Sequence, residues 1–262
     1  MPDDLTSLLK SWPYDPEKAV RKVISSDGKE RIQVRLPLGV EQYEVDGRPD
    51  ALRPHGFASF LEYHTYRLKK HLEARPSGKR FRLSHKACQE LTDEGVLYYR
   101  RYVVFFQIGD YDRTVRDTER NLALFDFIKQ YATDEEDRDT LEQYRPYLIR
   151  MRHAAAALQN ALGDDYESAL RELRTAVRLI ERLPDSDVGS FKFEKQRSLA
   201  ILRGMAKELR RKKPLSKEEA LERRLKEAIR RERYEEAAVI RDRLDELRKS
   251  EPDSDDSPPD SD

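Results

Sequence analysis

The sequence of 262 residues carries 51 basic and 51 acidic side chains, so its net charge is zero and no global attraction to nucleic acid or to a membrane surface is expected. Charged residues make up 39% of the chain, well above the usual share of about 25%, which favours long solvent-facing helices over a thick sheet core. Cys88 is the only cysteine, which excludes an intramolecular disulfide and is typical of a reducing compartment. No apolar run approaches the ~18 residues of a membrane-spanning helix, and the N-terminus lacks the apolar core of a signal peptide. The sequence therefore predicts a cytoplasmic protein with no membrane partner.

The first 55 residues combine a short apolar helix, ending near Trp12, with the only strand pattern in the chain. Ile32, Val34 and Leu36 alternate with charged residues, as expected for a half-buried strand. A hairpin-turn signal precedes this strand at 26–28, and a third apolar stretch follows it and reaches Asp46-Gly47. The pattern predicts an N-terminal helical clasp and a three-stranded antiparallel β-meander, which needs a helix across one face.

The loop after the meander contains Arg48 and Arg53 among glycine, aspartate and proline residues. Two interpretations are open. The two arginines could bind an anion, or the segment is a structural turn, which is the favoured interpretation because these residue types are typical of tight turns.

From residue 56 to residue 213 the apolar spacing is helical throughout. Two stretches in this body look alike: a glycine-acid turn leads to Tyr111 in one and to Tyr166 in the other, and each tyrosine starts a helix. This arrangement resembles the tetratricopeptide helix-turn-helix, although the offset of 55 residues is far from that family's ~34. The alternative is that any pair of antiparallel helices favours such a turn.

Residues 217–249 carry the most specific pattern in the chain. Two apolar series at helical spacing begin at Leu221 and at Ala237. Joining them requires only the residues around 232–234, so the segment predicts an antiparallel helical hairpin. Tyr234 is expected to close the turn, with its ring against the seam and its hydroxyl in water. The two series comprise Leu221, Leu225 and Ala228, and then Ala237, Ile240, Leu244 and Leu247.

This hairpin resembles the UVR motif, a helical hairpin found near the C-terminus of the excision-repair subunits UvrB and UvrC, in ClpC-type chaperone ATPases and in McsA-like regulators. The resemblance covers about an eighth of the chain. The residues that carry it are Leu221, Leu225, Ala228, Ile229, Tyr234, Glu235, Ala237, Ala238, Ile240, Arg241, Asp242, Leu244 and Leu247.

The resemblance implies a protein–protein docking element that self-associates or pairs with another protein carrying the motif. A hairpin of this size also falls under the limit of about 40 residues below which a chain normally needs a staple or a partner to fold. It is therefore expected to dock on the body of the chain, on a second copy or on another protein. The expected docking residues are Ile229, Tyr234, Ala237 and Ala238, with Arg241 and Asp242 orienting the hairpin through charge contacts.

A search for catalytic and metal-binding residues gives no candidate. The five histidines form no recognised metal signature, and the pair His85 and Cys88 is better interpreted as packed or surface residues. There is no CxxC, so the zinc sites of McsA-like proteins are absent, and no phosphate-binding loop of the kind that serves the ATPases. The acidic run at 134–137 is interpreted as a solvated loop. The sequence predicts a protein that is not an enzyme and holds no cofactor or metal.

The charges are distributed unevenly near the C-terminus. Residues 203–249 contain 17 basic and 11 acidic residues, whereas residues 250–262 contain 6 acidic and no basic ones. A basic arm at 203–213, which includes Arg210, Arg211, Lys212 and Lys213, could bind phosphates. It lacks interleaved aromatic residues for base stacking, so a solvated linker is the favoured interpretation.

Together these patterns predict a mainly α protein with four parts: the clasp and meander (1–55), the helical body (56–213), the hairpin (217–249) and a disordered acidic tail (250–262). The favoured function is an adaptor that docks a protein partner through the hairpin, in bacterial DNA repair or stress proteostasis. The alternative is a nucleic-acid-associated protein that uses the basic arm, with the hairpin recruiting repair factors.

Overall fold

The computed structural model describes residues 4–74, 80–184, 189–214 and 217–250. The fold is mainly helical, with a three-stranded antiparallel sheet near the N-terminus and a helical hairpin at the C-terminal end, which confirms the predicted fold class. The chain forms two compact units, Met1–Arg210 and Arg211–Asp262. The acidic tail predicted from residue 250 onward lies outside the described residues, apart from Ser250, which ends the last helix. The predicted boundaries at residues 55 and 213 stay predictions.

The helices and strands are numbered in chain order. Short 3-10 helices lie at Pro16–Lys18, Pro54–Gly56 and Glu142–Tyr144. The other elements are α1 (Thr6–Ser11), β1 (Val20–Ile24), β2 (Glu30–Leu36), β3 (Gly39–Glu44), α2 (Phe60–Ala74), α3 (His85–Gln107), α4 (Tyr111–Tyr131), α5 (Glu135–Asp139), α6 (Arg145–Leu162), α7 (Tyr166–Glu181), α8 (Gly189–Lys212), α9 (Lys217–Arg230) and α10 (Tyr234–Ser250).

The meander follows the alternation in the sequence. The strands lie in the order β1-β2-β3, and Ile32 faces Lys22 on one side and Tyr43 on the other. Ile32 and Tyr43 are buried against Val104 and Phe105 of α3, so α3 is the helix that covers one face of the sheet. The third strand ends at Glu44 rather than at Asp46-Gly47, because the backbone N–H of Glu44 donates to the carbonyl of Pro49 and the chain turns there.

The loop after the meander is a structural element, as the favoured interpretation predicted. The Arg48 guanidinium pairs with the carboxylates of Asp50 at 2.8 Å and Glu94 at 2.7 Å. Arg53 donates to the backbone carbonyl of Gly56 at 3.4 Å. With two carboxylate partners inside the protein, the Arg48 guanidinium is not open to an anion, whereas anion binding by the exposed Arg53 stays a prediction.

Glu94 on α3 joins four parts of the first unit. Its carboxylate is fully buried and accepts hydrogen bonds from the backbone N–H groups of Phe60 at 2.7 Å and Leu61 at 3.1 Å, at the start of α2. It also pairs with Arg48 of the loop and with Arg120 of α4. A helix start leaves its first N–H groups without helical partners, so this carboxylate both caps α2 and pairs with two guanidinium groups.

The core of the body lies between helices that pack in sequence, α3 on α4, α4 on α6 and α6 on α7. One apolar cluster lies among α3, α4 and α6, and a second is formed by α6, α7 and α8. The largest fully buried apolar residues of the two clusters are Leu83, Leu91, Leu124, Ile128, Leu148, Leu173, Ile180 and Leu202.

The two turns that look alike in sequence differ in backbone geometry. Between α3 and α4 the left-handed residue is Gly109, with φ of +75°. Between α6 and α7, Gly163 has φ of −90° and Asp164 takes the left-handed conformation, with φ of +60°. Asp165 then caps α7 by accepting from the backbone N–H of Ser168 at 2.9 Å. The similarity to tetratricopeptide repeats stays a prediction.

Candidate protein-docking hairpin

The second unit contains the hairpin of α9 and α10, whose apolar seam is the one predicted from the spacing. Ala228 of α9 and Ala237, Ile240 and Leu244 of α10 are buried in it. Leu221 and Leu225 are partly buried against this cluster. Alanine on both helices at the turn end allows the two backbones to approach closely there.

The turn between the helices has the geometry of a left-handed helix end. Glu232 has φ of +57°, and the N–H of Arg233 donates to the carbonyl of Ala228 at 2.9 Å. The N–H of Glu232 donates to the carbonyl of Ile229 at 3.0 Å. These bonds satisfy carbonyls in the last turn of α9 that have no helical partner, so the turn is well formed although it lacks glycine.

The opposite end of the hairpin is joined by charges. Arg248 near the end of α10 pairs with Glu218 at 2.7 Å and with Glu222 at 2.9 Å, both on α9. Surface pairs of this kind contribute about 0–1 kcal/mol each. Their effect is to favour one register of the helices, while the seam supplies most of the stability.

Three large apolar side chains of the hairpin remain exposed. Ile229 is 53% exposed, Tyr234 68% and Val239 64%. The expectation that the Tyr234 ring packs against the seam is therefore wrong, because Ala228 and Ala237 already fill the seam beside the turn. We call Ile229, Tyr234 and Val239 the turn-end apolar surface, since all three lie within the last turn of α9 or the first two turns of α10. Tyr234 and Val239 are five residues apart, hence about 140° apart around α10, so they flank the seam on its two sides.

The structure places the six expected docking residues in two environments, the buried seam and the outer surface of the hairpin. Ala237 is buried in the seam, where it holds the two helices together. Arg241 and Asp242 are exposed neighbours whose side chains lie 3.3 Å apart. The residues on the outer surface are Ile229, Tyr234, Ala238, Arg241 and Asp242.

Sequence reasoning missed Val239. Its exposure could have been predicted from its position directly before the seam residue Ile240. An apolar residue one position away from the seam series points away from the partner helix.

The predicted basic arm is divided between the two units. Arg210 ends the first unit and lines a groove between α7 and α8. Arg211, Lys212 and Lys213 belong to the second unit, where the first two are exposed and Lys213 is partly buried. Phosphate binding by this arm stays a prediction.

The pair His85 and Cys88 packs against the acidic run that was expected to be a solvated loop. That run forms the short helix α5, and His85 Nδ1 lies 2.9 Å from Oδ1 of its buried residue Asp137. Burial, together with the nearby Asp137 carboxylate, raises the pKa of the Cys88 thiol to about 12, so the thiol stays protonated at neutral pH.

Across the part of the chain that the structure describes, no group of three or more His, Cys, Asp or Glu side chains is arranged to hold a metal ion.

Two other histidines are buried in the first unit. Burial lowers the pKa of His64 to about 4, with a further contribution from the nearby charge of Arg67. The pKa of His153 is also lowered by burial, although the Glu172 carboxylate, whose Oε2 lies 2.6 Å from Nδ1 of His153, opposes the shift. Both imidazoles are therefore neutral at physiological pH.

Residues 219–250 match the family model described as the UvrB/uvrC motif. The match covers α9 and α10, so it confirms the resemblance for the hairpin and for no other part of the chain. No curated protein and no solved structure matches the chain. Within residues 4–74, 80–184, 189–214 and 217–250, no helix combines the length and the apolar character needed to cross a membrane.

Proposed function

We propose that this chain is a non-enzymatic adaptor that docks a protein partner through the turn-end apolar surface of its α9–α10 hairpin. The observation that carries the proposal is the exposure of Ile229, Tyr234 and Val239 on a hairpin whose seam is already filled. The motif match at 219–250 supports a role in excision-type DNA repair or in protein interaction.

The surface is small but suited to docking. The five-residue step from Tyr234 to Val239 corresponds to a rise of about 7.5 Å along α10, so the exposed side chains lie close to the turn. Tyrosine is enriched at the centres of protein interfaces because its ring is apolar and its hydroxyl can hydrogen-bond. The exposed charges of Arg241 and Asp242, next on the same helix, supply a polar rim.

The resemblance indicates the kind of partner. It is a protein that carries the same motif, or a second copy of this chain, in bacterial DNA repair or stress proteostasis. Pairing of two such hairpins would cover both turn-end apolar surfaces at once. The result would be a symmetric contact in which Tyr234 of each hairpin packs against the other hairpin.

The experiment is a pull-down from a bacterial lysate treated with nuclease, comparing the intact chain with Tyr234→Ala and Val239→Asp. The matched control is Tyr144→Ala, which removes a 53% exposed tyrosine from the first unit. A partner held by the intact chain and the control, and lost from both hairpin variants, supports the proposal. Sedimentation of the purified chain separates self-association from binding to another protein.

The alternative function is nucleic-acid binding by the basic arm at 203–213. Its support is the exposure of Arg210, Arg211 and Lys212 at the end of α8. Such binding falls steeply with salt and is insensitive to Tyr234. If the lysate proteins recovered by the intact chain disappear on nuclease treatment, and Tyr234→Ala recovers the same set without nuclease, the hairpin proposal is wrong and the alternative is favoured.

A further inference from the structure

A groove of about 520 Å³ runs between α7 and α8, wholly within the first unit. Its lining between the arginines, which we call the floor, is aliphatic: Val177 of α7 is partly buried, whereas Leu173 of α7 and Leu202 and Ala206 of α8 are buried, at 1%, 0% and 8% exposure. Guanidinium groups from both helices surround this floor. The five arginines that line the groove are Arg171, Arg174, Arg178, Arg203 and Arg210.

The arginines form two rows, one along each wall. On α7, Arg171, Arg174 and Arg178 are spaced by three and four residues, so they share one face of the helix. They span about 10.5 Å of helix, and Arg203 and Arg210 on α8 are also seven residues apart and span the same length. The two walls thus present charges with matching spacing on either side of an apolar floor.

Little on the protein neutralises these charges. No aspartate or glutamate is among the lining residues, all of which the structure describes. Arg203 pairs with Glu181 at 2.7 Å, and Glu172 of α7 is engaged by Arg152 and His153 of α6. Within the described part of the chain, Arg174 and Arg210 make no ion pair.

The remaining two arginines of the groove are held by neutral groups. Arg171 donates to the hydroxyl of Ser168 at 2.7 Å, and Arg178 donates to the hydroxyl of Thr175 at 3.2 Å. The hydroxyl of Thr175 orients Arg178 and leaves its positive charge uncompensated, so this guanidinium retains donors for a carboxylate. The hydroxyl of Ser168 itself donates to Asp165, and the nearby charge of Arg171 contributes to lowering the pKa of that carboxyl, so Arg171 is partly compensated.

We propose that this groove binds an acidic amphipathic helix of a protein partner, at a site separate from the α9–α10 hairpin. A helix laid along the groove places its apolar stripe on the floor. Carboxylates that flank this stripe at intervals of three, four or seven residues are spaced along the helix axis by the same distances as the arginines of each row. Each guanidinium can then form a charge-assisted, bidentate pair with a carboxylate.

A nucleic acid fits the groove less well. The lining residues include no aromatic ring on which a base could stack, and stacking is a main source of affinity for single strands. An aliphatic floor favours leucine-like side chains over a hydrated sugar-phosphate backbone. Charge alone attracts either class of partner; the lack of an aromatic ring among the lining residues and the accessible aliphatic side chain of Val177 favour a protein helix.

The test is fluorescence anisotropy with the full-length protein and three labelled probes. The first is a peptide of about 18 residues, long enough to form a helix, with a leucine stripe flanked by glutamates. The second replaces every glutamate by glutamine, and the third is a single-stranded DNA of similar length. The groove variant is Arg174→Glu with Arg210→Glu, and the matched control is Arg223→Glu with Arg224→Glu, which changes the net charge equally at exposed positions of α9.

The proposal expects the glutamate peptide to bind more tightly than the other two probes. The groove variant should weaken this binding at least about tenfold, since charge pairs of an interface are reversed, while the control variant retains most of it. A neutral variant, Arg174→Gln with Arg210→Gln, should give an intermediate loss. Circular dichroism checks that each variant keeps the fold.

Four results would overturn the proposal. The glutamate peptide could fail to bind, or could bind the groove variant as well as the intact chain. An equal loss in the groove and control variants would indicate attraction by general charge. DNA bound more tightly than the peptide, and lost from the groove variant alone, would make the groove a nucleic-acid site instead.

Discussion

Arg101 of α3 and Asp117 of α4 form a bidentate ion pair inside the first unit, with Nε to Oδ2 at 2.7 Å and Nη2 to Oδ1 at 2.9 Å. Both residues are 1% exposed. The third donor of the guanidinium, Nη1, reaches the backbone carbonyl of Glu44 at the end of β3 at 2.7 Å. The pair thus joins the meander to α3 and α4, and every nitrogen of the buried guanidinium group has a partner.

The first prediction concerns this pair. Asp117→Asn keeps the size of the side chain but leaves the Arg101 charge buried without a counterion, and breaking a buried pair in this way costs about 3–5 kcal/mol. We expect a loss of that order in the free energy of unfolding, measured by urea denaturation of the purified chain. Arg248→Gln, which removes the two exposed pairs with Glu218 and Glu222, should cost less than about 2 kcal/mol. A comparable small loss for Asp117→Asn would mean that the buried pair is dispensable.

The same pair marks the limit of prediction from the sequence. The alternation around Ile32 predicts a strand, and the spacing around Leu244 predicts a helix. Each pattern also shows which face is buried, because apolar residues on one face recur about every 2 residues in a strand and about every 3.6 in a helix. Arg101 and Asp117 have no such signal. With 39% of the residues charged, any one charge is most simply interpreted as solvated, and only the tertiary fold determines which of them are buried together.

The candidate site was predictable to a similar extent. The spacing and the Tyr-Glu-x-Ala-Ala run predict the hairpin, and Ile229 and Tyr234 could be named from the resemblance. The exposure of Tyr234 could not, because the width of the seam depends on how closely Ala228 and Ala237 bring the helices together. The arginine groove was missed for a related reason: it combines rows from α7 and α8, which the sequence presents as two unrelated helices.

The second prediction concerns the pH dependence of stability. Burial lowers the pKa of His64 in the folded chain to about 4, against an ordinary value near 6.5. Between these two values the unfolded chain binds more protons than the folded one, so the free energy of unfolding falls as the pH falls from about 6.5 towards 4. His64→Phe, which retains a ring beside Phe60, should flatten this part of the profile whatever its effect on stability at neutral pH. Denaturation series at several pH values measure the slope, and an unchanged slope in the variant would assign the pH dependence to other groups.

The third prediction concerns the reactivity of Cys88. The thiol is buried and its pKa is raised to about 12, so the thiolate fraction at pH 8 is smaller than that of a free thiol by a factor of the order of 10³. The folded chain should therefore react with iodoacetamide at least about a thousandfold more slowly than the unfolded chain. Because Cys88 is the only cysteine, the mass gain of the intact protein reports on it directly. Alkylation of the folded chain at the rate of a small thiol in the same buffer would show that the site opens readily.

The fourth prediction separates folding of the hairpin from docking. Leu244 is 3% exposed in the seam, and Leu→Ala at a buried position costs about 2–5 kcal/mol, more than a two-helix unit of this size can lose and remain folded. Leu244→Ala should abolish the protection of the 217–250 backbone amides against hydrogen exchange, measured by mass spectrometry of the full-length chain, and should abolish partner binding with it. Tyr234→Ala removes a ring that contributes little to the seam, so it should leave amide protection intact and abolish partner binding alone. Loss of protection in Tyr234→Ala as well would make the tyrosine a structural residue of the turn, and the turn-end apolar surface would no longer be needed to explain its effect on binding.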